Sequence, residues 1–260
     1  MLEFIDSHAH YGAEQFDPDR DELLNRIHEG GVLKIVNMGC NLERSRLSVE
    51  YAEKFPFVYA AVGIHPEDVE GTPEDYLDRI KKWAVLPKTV AIGEIGLDYH
   101  YEGYDPDLQK RIFEEQLDLA EELSLPVVIH SRDATEDCMN ILRKRGKVSG
   151  VMHCFSGSAE TAKQVLALGM NISFTGVLTF KNARKAIEAL EVVPLERLML
   201  ETDCPYMAPE PNRGKRCDSS MIVHIIEKIA EVKGVPPELV AKQTTENTLN
   251  LFYKMKNAGI

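Results

Sequence analysis

A short apolar run followed by an amphipathic stretch recurs about every 30 residues, and this alternation constrains the fold more than any other feature of the chain. The apolar runs are Leu2–Ile5, Val32–Met38, Phe57–Ile64, Val90–Ile95, Val127–Ile129, Val151–Phe155, Ile172–Phe174 and Leu198–Leu200. They are short, rich in Val and Ile, and continuously apolar. That is the pattern of strands covered on both faces, as in a parallel sheet. Helical patterns lie between them, near Pro18–Glu29, Leu42–Glu53, Pro73–Trp83, Ala134–Arg145, Ala159–Leu168 and Asn182–Leu190. A further one follows Asp105-Pro106, which reads as an N-cap and first helical residue. Leu108, Ile112, Leu119 and Leu123 share its apolar face, and Pro126 opens the next strand. Two more, near Ser219–Lys233 and Pro237–Lys256, close the chain. Eight strand–helix units predict an α/β fold, a (β/α)8 TIM barrel, as one domain over residues 1–260. A doubly wound open sheet is the alternative, and no GxGxxG follows the first strand to support a dinucleotide site.

Composition narrows the class. With 44% hydrophobic residues in 260, the chain has ample material for a buried core. No apolar run approaches the roughly 20 residues that span a bilayer, so no membrane association is expected. The start, MLEFIDSHAH, carries Glu3 and Asp6 and no basic segment, unlike a signal peptide. Five cysteines without a CxxC suggest reduced thiols and a cytoplasmic location. The net charge of −12 argues against a broad basic cradle for long duplex nucleic acid, yet leaves room for a short anionic ligand held with metal ions. No obligate protein partner is evident.

Polar residues cluster at the ends of the predicted strands. Asp6, His8 and His10 finish the first; residues two apart on a strand point the same way, so His8 and His10 can converge on one ion. His65 ends the third, Glu94 and Asp98 the fourth, His130 and Arg132 the fifth, and His153 the sixth. Glu201 and Asp203 finish the eighth. In a barrel all these points meet at the rim where βα loops build active sites. Four imidazoles with two or three carboxylates suffice for a two-metal site. His65, without a ligand beside it on its strand, reads as substrate-facing. His28 and His224, within helical stretches, read as ordinary, and His100 is undecided. Cys154 and Cys204 read as buried side chains that point away from the ligands. The basic stretch Asn212-Arg213-Gly214-Lys215-Arg216 suits a solvated loop or a phosphate contact.

Taken together, the motifs resemble the TatD family of metal-dependent deoxyribonucleases, among the amidohydrolase-like metallohydrolases. They are Asp-Ser-His-Ala-His (6–10), Gly-Ile-His-Pro (63–66), Gly-Glu-Ile-Gly-Leu-Asp-Tyr (93–99), Pro-Val-Val-Ile-His-Ser-Arg (126–132), His-Cys-Phe-Ser-Gly-Ser (153–158), Glu-Thr-Asp-Cys-Pro-Tyr (201–206), Arg-Gly-Lys-Arg (213–216) and Asn-Thr-Leu-Asn-Leu-Phe (247–252). The resemblance implies a dinuclear centre in which His8, His10, Glu94 and Asp203 hold one divalent ion. Glu94 would bridge to a second, held with His130 and His153, while His65 and Arg132 contact the scissile phosphate. Glu67 stands where the family often has a second His. Cys217-Asp218-Ser219 stands where it often has Asn-Glu-Pro. Both departures concern substrate binding, not the metal ligands.

The expected reaction is hydrolysis of a phosphodiester, with Asp203 and Glu94 as catalytic residues and short, single-stranded or terminal DNA as substrate. An exonuclease is the expected form. Two divalent ions would acidify water, Asp203 would orient it and accept its proton, and Arg132 would offset charge on phosphoryl oxygens. Imidazole-rich coordination suits Zn, Mn or Fe better than Mg, which the resemblance also allows. The alternative is an amide or ester hydrolase on the same scaffold, many of which bridge two ions with a carboxylated Lys on the fourth strand. Glu94 stands there instead. A non-catalytic metal- or nucleotide-binding barrel is the third reading, and the full set of catalytic ligand types counts against it.

Overall fold

The computed structural model describes residues 2–103 and 105–256; residues 1, 104 and 257–260 of the unit expected over 1–260 lie outside these. Eight strands form one parallel sheet in chain order: β1 (Phe4–Ala9), β2 (Val32–Met38), β3 (Val58–Val62), β4 (Thr89–Asp98), β5 (Val127–Arg132), β6 (Gly150–Met152), β7 (Asn171–Phe174) and β8 (Leu198–Leu200). Helices alternate with them: α1 (Arg20–Glu29), α2 (Leu42–Lys54), α3 (Tyr76–Ala84), α4 (Pro106–Leu123), α5 (Thr135–Arg145), α6 (Ala159–Ala167), α7 (Arg184–Val192) and α8 (Ile222–Lys233), with α9 (Pro237–Leu251) added at the end. Each strand pairs in parallel with the next from β1 to β8. An order without reversal is that of a barrel and excludes the doubly wound sheet.

The seam between β8 and β1 is carried by side chain and loop. Ser7 Oγ donates to the Leu200 carbonyl at 2.8 Å. Beyond β8, the Asp203 N–H donates to the His8 carbonyl at 3.0 Å, and the His10 N–H to the Cys204 carbonyl at 2.8 Å. These bonds tie the end of β1 to the segment that follows β8.

The apolar runs are continuous because both strand faces are buried. Ile5, Val36, Tyr59, Ala61, Ala91, Val128, Val151 and Met199 fill the barrel with Phe252 and Met255 beneath them, while the alternate residues pack under the helices. Two buried glutamines of α4 clamp strand ends near the mouth. Gln116 accepts from the Ile64 N–H and donates to the Ile64 carbonyl, and Gln109 does the same at Asp98. Asp105 caps α4 as expected, its carboxylate accepting from the Asp107 and Leu108 N–H groups.

Several boundaries differ from the apolar pattern. β1 and β4 run on to Ala9 and Asp98, since their polar ends are buried in the mouth. β6 stops at Met152, and Cys154 leaves extended geometry with φ +43°. β8 matches its apolar run, Leu198–Leu200, but Glu201 and Asp203, expected to finish it, lie beyond it, Asp203 with φ +58°. Asp tolerates that left-handed region better than most residues. No helix among the described residues is long and apolar enough to cross a membrane.

Candidate metal centre

His8, His10, His65, Glu94, Asp98, His130, Arg132, His153, Glu201 and Asp203 all meet at the C-terminal mouth of the barrel. Most of them line a cavity of about 1070 Å³; His8 and Glu201 are wholly buried beside it. Glu94 stands at its centre because β4 breaks register with β5 between Ile92 and Ile95, which turns the carboxylate inward. The glycines around it permit the approach of β5. A Cβ on Gly93 would lie 2.7 Å from that of Val128, and one on Gly96, at φ +146°, would lie 1.9 Å from the His130 carbonyl oxygen.

The two oxygens of Glu94 face different sets of imidazoles. Oε2 lies 3.4 Å from both His8 Nε2 and His10 Nε2. Oε1 lies 2.7 Å from His153 Nε2, 3.0 Å from His130 Nδ1 and 3.3 Å from His65 Nε2. Asp203 completes the first set, its Oδ1 3.1 Å from His10 Nε2 and 3.5 Å from His8 Nε2. Three donor groups bring their atoms within 4.8 Å of one another: His8, His10 and Glu94; His65, Glu94 and His130; and His8, His153 and Glu201.

The donor set fits divalent cations. His8 Nε2 and His10 Nε2 are 3.0 Å apart, and His130 Nδ1 and His153 Nε2 are 3.2 Å apart. Neutral imidazole nitrogens that close, with carboxylates beside them, present more lone pairs than protons to satisfy them. Burial alone would push the Glu94 carboxyl up, but His153, His65 and His8 hold it well below its usual range. Burial likewise opposes ionisation of Asp203, and the His10 hydrogen bond with the His10, His8 and His153 charges outweighs it. Burial disfavours the charged form of His153, yet Glu94 and Glu201 raise its pKa well above the ordinary value. At His8, burial and then the His153 charge keep the ring neutral.

The outer nitrogens decide which ring can ligate. Asp98 Oδ2 accepts from His130 Nε2 at 3.0 Å, which leaves the His130 Nδ1 lone pair to the site. Cys40 Sγ lies 3.4 Å from His10 Nδ1 and fills the same place there. Glu201 lies behind His8 and His153. His65 differs from all of these: its Nδ1 accepts the Glu67 N–H at 3.1 Å, so its proton sits on Nε2 and points toward Glu94. Although grouped with Glu94 and His130, the ring is arranged as a hydrogen-bond donor.

Other sequence expectations fare unevenly. Arg132 lines the cavity, its guanidinium carbon 5.2 Å from the centre of the Tyr101 ring. Cys204 is buried as expected, but Cys154 is half-buried and lines the cavity, a correction that follows from its left-handed backbone. Asp6 is no part of the donor groups. It accepts from Thr202 and Ser219 hydroxyls and the His8 and Thr202 N–H groups, and burial pushes its carboxyl up to about 7. The phosphate-contact option for the basic stretch is weakened. Arg216 makes a two-pronged pair with Asp19, and Arg213 lies 4.4 Å over the Phe180 ring. His28 stacks on Phe57 and His224 lies 3.5 Å from Glu227, both ordinary, while exposed His100 meets Asp133 at 2.8 Å. Arg44, Tyr101 and Tyr206 also line the cavity. Tyr101 and Tyr206 follow β4 and β8 in the βα loops, whereas Arg44 stands in the first turn of α2, where no strand-end pattern signals it.

A parallel eight-stranded barrel with paired imidazoles and carboxylates at its C-terminal mouth defines a metal-dependent hydrolase. The family model described as TatD related DNase matches residues 5–253, and the chain belongs to that family. A Bacillus subtilis metal-dependent hydrolase, YabD, is 44% identical over 250 residues, 95% of this chain and 98% of its own. The 3′-5′ ssDNA/RNA exonuclease TatD of Cronobacter sakazakii is 34% identical over 255 residues, 95% of this chain and 96% of its own. The crystal structure of YJJV, a TatD homologue from Escherichia coli K12, is 31% identical with a TM-score of 0.91, covering 96% of this chain and 98% of its own.

Proposed function

We propose that this enzyme hydrolyses phosphodiesters at the ends of short or single-stranded DNA, with two divalent ions at the barrel mouth. The observation that carries the reading is the division of the Glu94 oxygens between two imidazole sets. His8, His10, Asp203 and Glu94 would hold one ion; Glu94, His130 and His153 would hold the other. Zinc or manganese suits that donor set ahead of magnesium. Ions there would acidify water and offset charge on phosphoryl oxygens.

The chain's own groups supply the rest. Asp203, kept ionised by the imidazoles around it, accepts a proton from the attacking water. The His65 Nε2–H and the Arg132 guanidinium donate to phosphoryl oxygens as charge builds there. Phe155, Phe174 and Leu178 add apolar surface to the cavity wall. The net charge of −12 and the rim acids Glu14, Glu67 and Asp68 disfavour a long duplex and leave the cavity to strand ends. A relative named as a single-strand exonuclease supports the same substrate. The test is release of nucleotides from 5′- and 3′-labelled single-stranded oligonucleotides with Mn²⁺, Zn²⁺ or Mg²⁺, beside a panel of small amides and esters. Stepwise shortening of the oligonucleotide is expected. Turnover confined to the amide or ester panel overturns the reading.

A further inference from the structure

We propose that Glu201 is a positioning residue that holds His8 and His153 by their Nδ1 protons at once, and so makes the two ions load together; the inference rests on the two-ion reading above. All three side chains are buried, with exposures of 0%, 4% and 0% for His8, His153 and Glu201. The two rings stack with centroids 4.0 Å apart and planes 5° apart. On one side of the stack, Glu201 Oε2 lies 3.9 Å from His8 Nδ1 and 3.7 Å from His153 Nδ1. None of these three atoms has a hydrogen-bond partner among the described residues. Buried polar atoms are rarely left so, and a carboxylate oxygen has room for two donors. The trio is satisfied by a small closure that brings both N–H groups onto one oxygen.

The other Glu201 oxygen is already committed. Oε1 accepts the N–H of Cys154, whose left-handed backbone turns that amide toward it. With Nδ1 protonated, each ring presents the Nε2 lone pair inward, His153 to Oε1 of Glu94 and His8 to Oε2. One carboxylate thus fixes a ligand in each imidazole set. A cation between Glu201 and the two Nδ1 atoms would require both rings to give up their last proton if they also ligate through Nε2. Shared N–H donation needs no such loss.

Glu201→Gln separates this role from packing. The Cys154 N–H requires the amide oxygen, so the amide NH₂ must face both Nδ1 atoms. That arrangement moves their protons to Nε2, where they block ligation. A mere space-filling role would predict tolerance, since Gln has nearly the same shape. The experiment combines Mn²⁺ titration by calorimetry and elemental analysis with ¹⁵N NMR of the imidazoles in metal-free protein, recorded at alkaline pH where His8 and the raised His153 are both neutral. Expected are Nδ1–H tautomers at His8 and His153 in the wild type, Nε2–H in Glu201→Gln, and a fall of about 10–100-fold in affinity for both ions together. Unchanged affinity, loss of one ion only, wild-type Nε2–H tautomers, or a third ion that vanishes in the variant would each overturn the proposal. The wild-type tautomers decide the matter even if the variant does not fold. Nδ1–H tautomers in a wild type that takes up only one ion would overturn coupled loading through the two-ion reading, and leave the hydrogen bonds standing.

Discussion

His65→Asn discriminates between the two parts that ring can play. In the structure His65 Nδ1 accepts the Glu67 N–H at 3.1 Å and caps the turn Pro66–Asp68, while Nε2 lies 3.3 Å from Glu94 Oε1. Asn at the same position can accept the Glu67 N–H and keep the cap, so stability should change by no more than about 1 kcal/mol. Its shorter amide cannot reach where Nε2–H points. If His65 is a donor to phosphoryl oxygens, removing one such contact costs about 2.7–4 kcal/mol in the transition state, or roughly 10²–10³ in rate. The ion content should stay at the wild-type value. The assay is single-turnover cleavage of a labelled oligonucleotide, with elemental analysis and thermal melting of the same preparation. Loss of one ion equivalent would show that His65 ligates and that the tautomer argument is wrong. A wild-type rate would remove it from the chemistry altogether.

Glu94→Ala should lose both ions, whereas His130→Ala should lose one, because each Glu94 oxygen faces its own imidazole set; equal losses by elemental analysis would refute the bridge. Asp203→Asn should fold and keep oligonucleotide affinity within about tenfold, while turnover falls by roughly 10²–10⁴; a folded, ion-replete variant above a tenth of the wild-type rate excludes Asp203 as the base. Ion uptake should weaken as pH falls, beginning above the ordinary histidine value of 6.5. Burial opposes protonation of His10, His130 and His153, but their neighbours, chiefly Cys40 and Asp203, Asp98 and Glu94, and Glu94 and Glu201, raise all three, and a ligating ring must be neutral. The sign reverses for the metal-free fold. Raised histidines stabilise it below 6.5, and that contribution is lost as pH climbs through their folded values, so ion-induced gains in Tm should grow with pH.

Much of the site was legible because strand parity holds where the strands are regular. Tyr59, Ala61 and His65 share one face, as do Val128, His130 and Arg132, and Val151 and His153; the alternation that fills the barrel also aims these side chains at its mouth. Parity fails on β1 and β4. Counting on from inward Ala91 would send Glu94 outward, and only the register shift after Ile92 brings it in. Such a shift has no signature beyond the glycines flanking Glu94, so there the motif resemblance carried what periodicity could not. The partners of the imidazoles were beyond reach for another reason. Asp98 to His130 spans 32 residues, and Cys40 to His10 spans 30. Nothing in local sequence says which carboxylate or thiol will stand behind which ring. The end of β8 was misplaced because Glu201 and Asp203 keep a strand-like spacing, while the backbone at Asp203 turns left-handed.

Ion stoichiometry followed alongside cleavage tests the central claim most directly. Metal-free protein is titrated with Mn²⁺, bound metal is counted, and hydrolysis of a single-stranded oligonucleotide is recorded at each point. Two ions should bind, turnover should rise in step with filling of the pair, and chelation should abolish it while the far-UV spectrum of the barrel persists. Full activity at one ion or none would contradict a centre divided across the two oxygens of Glu94.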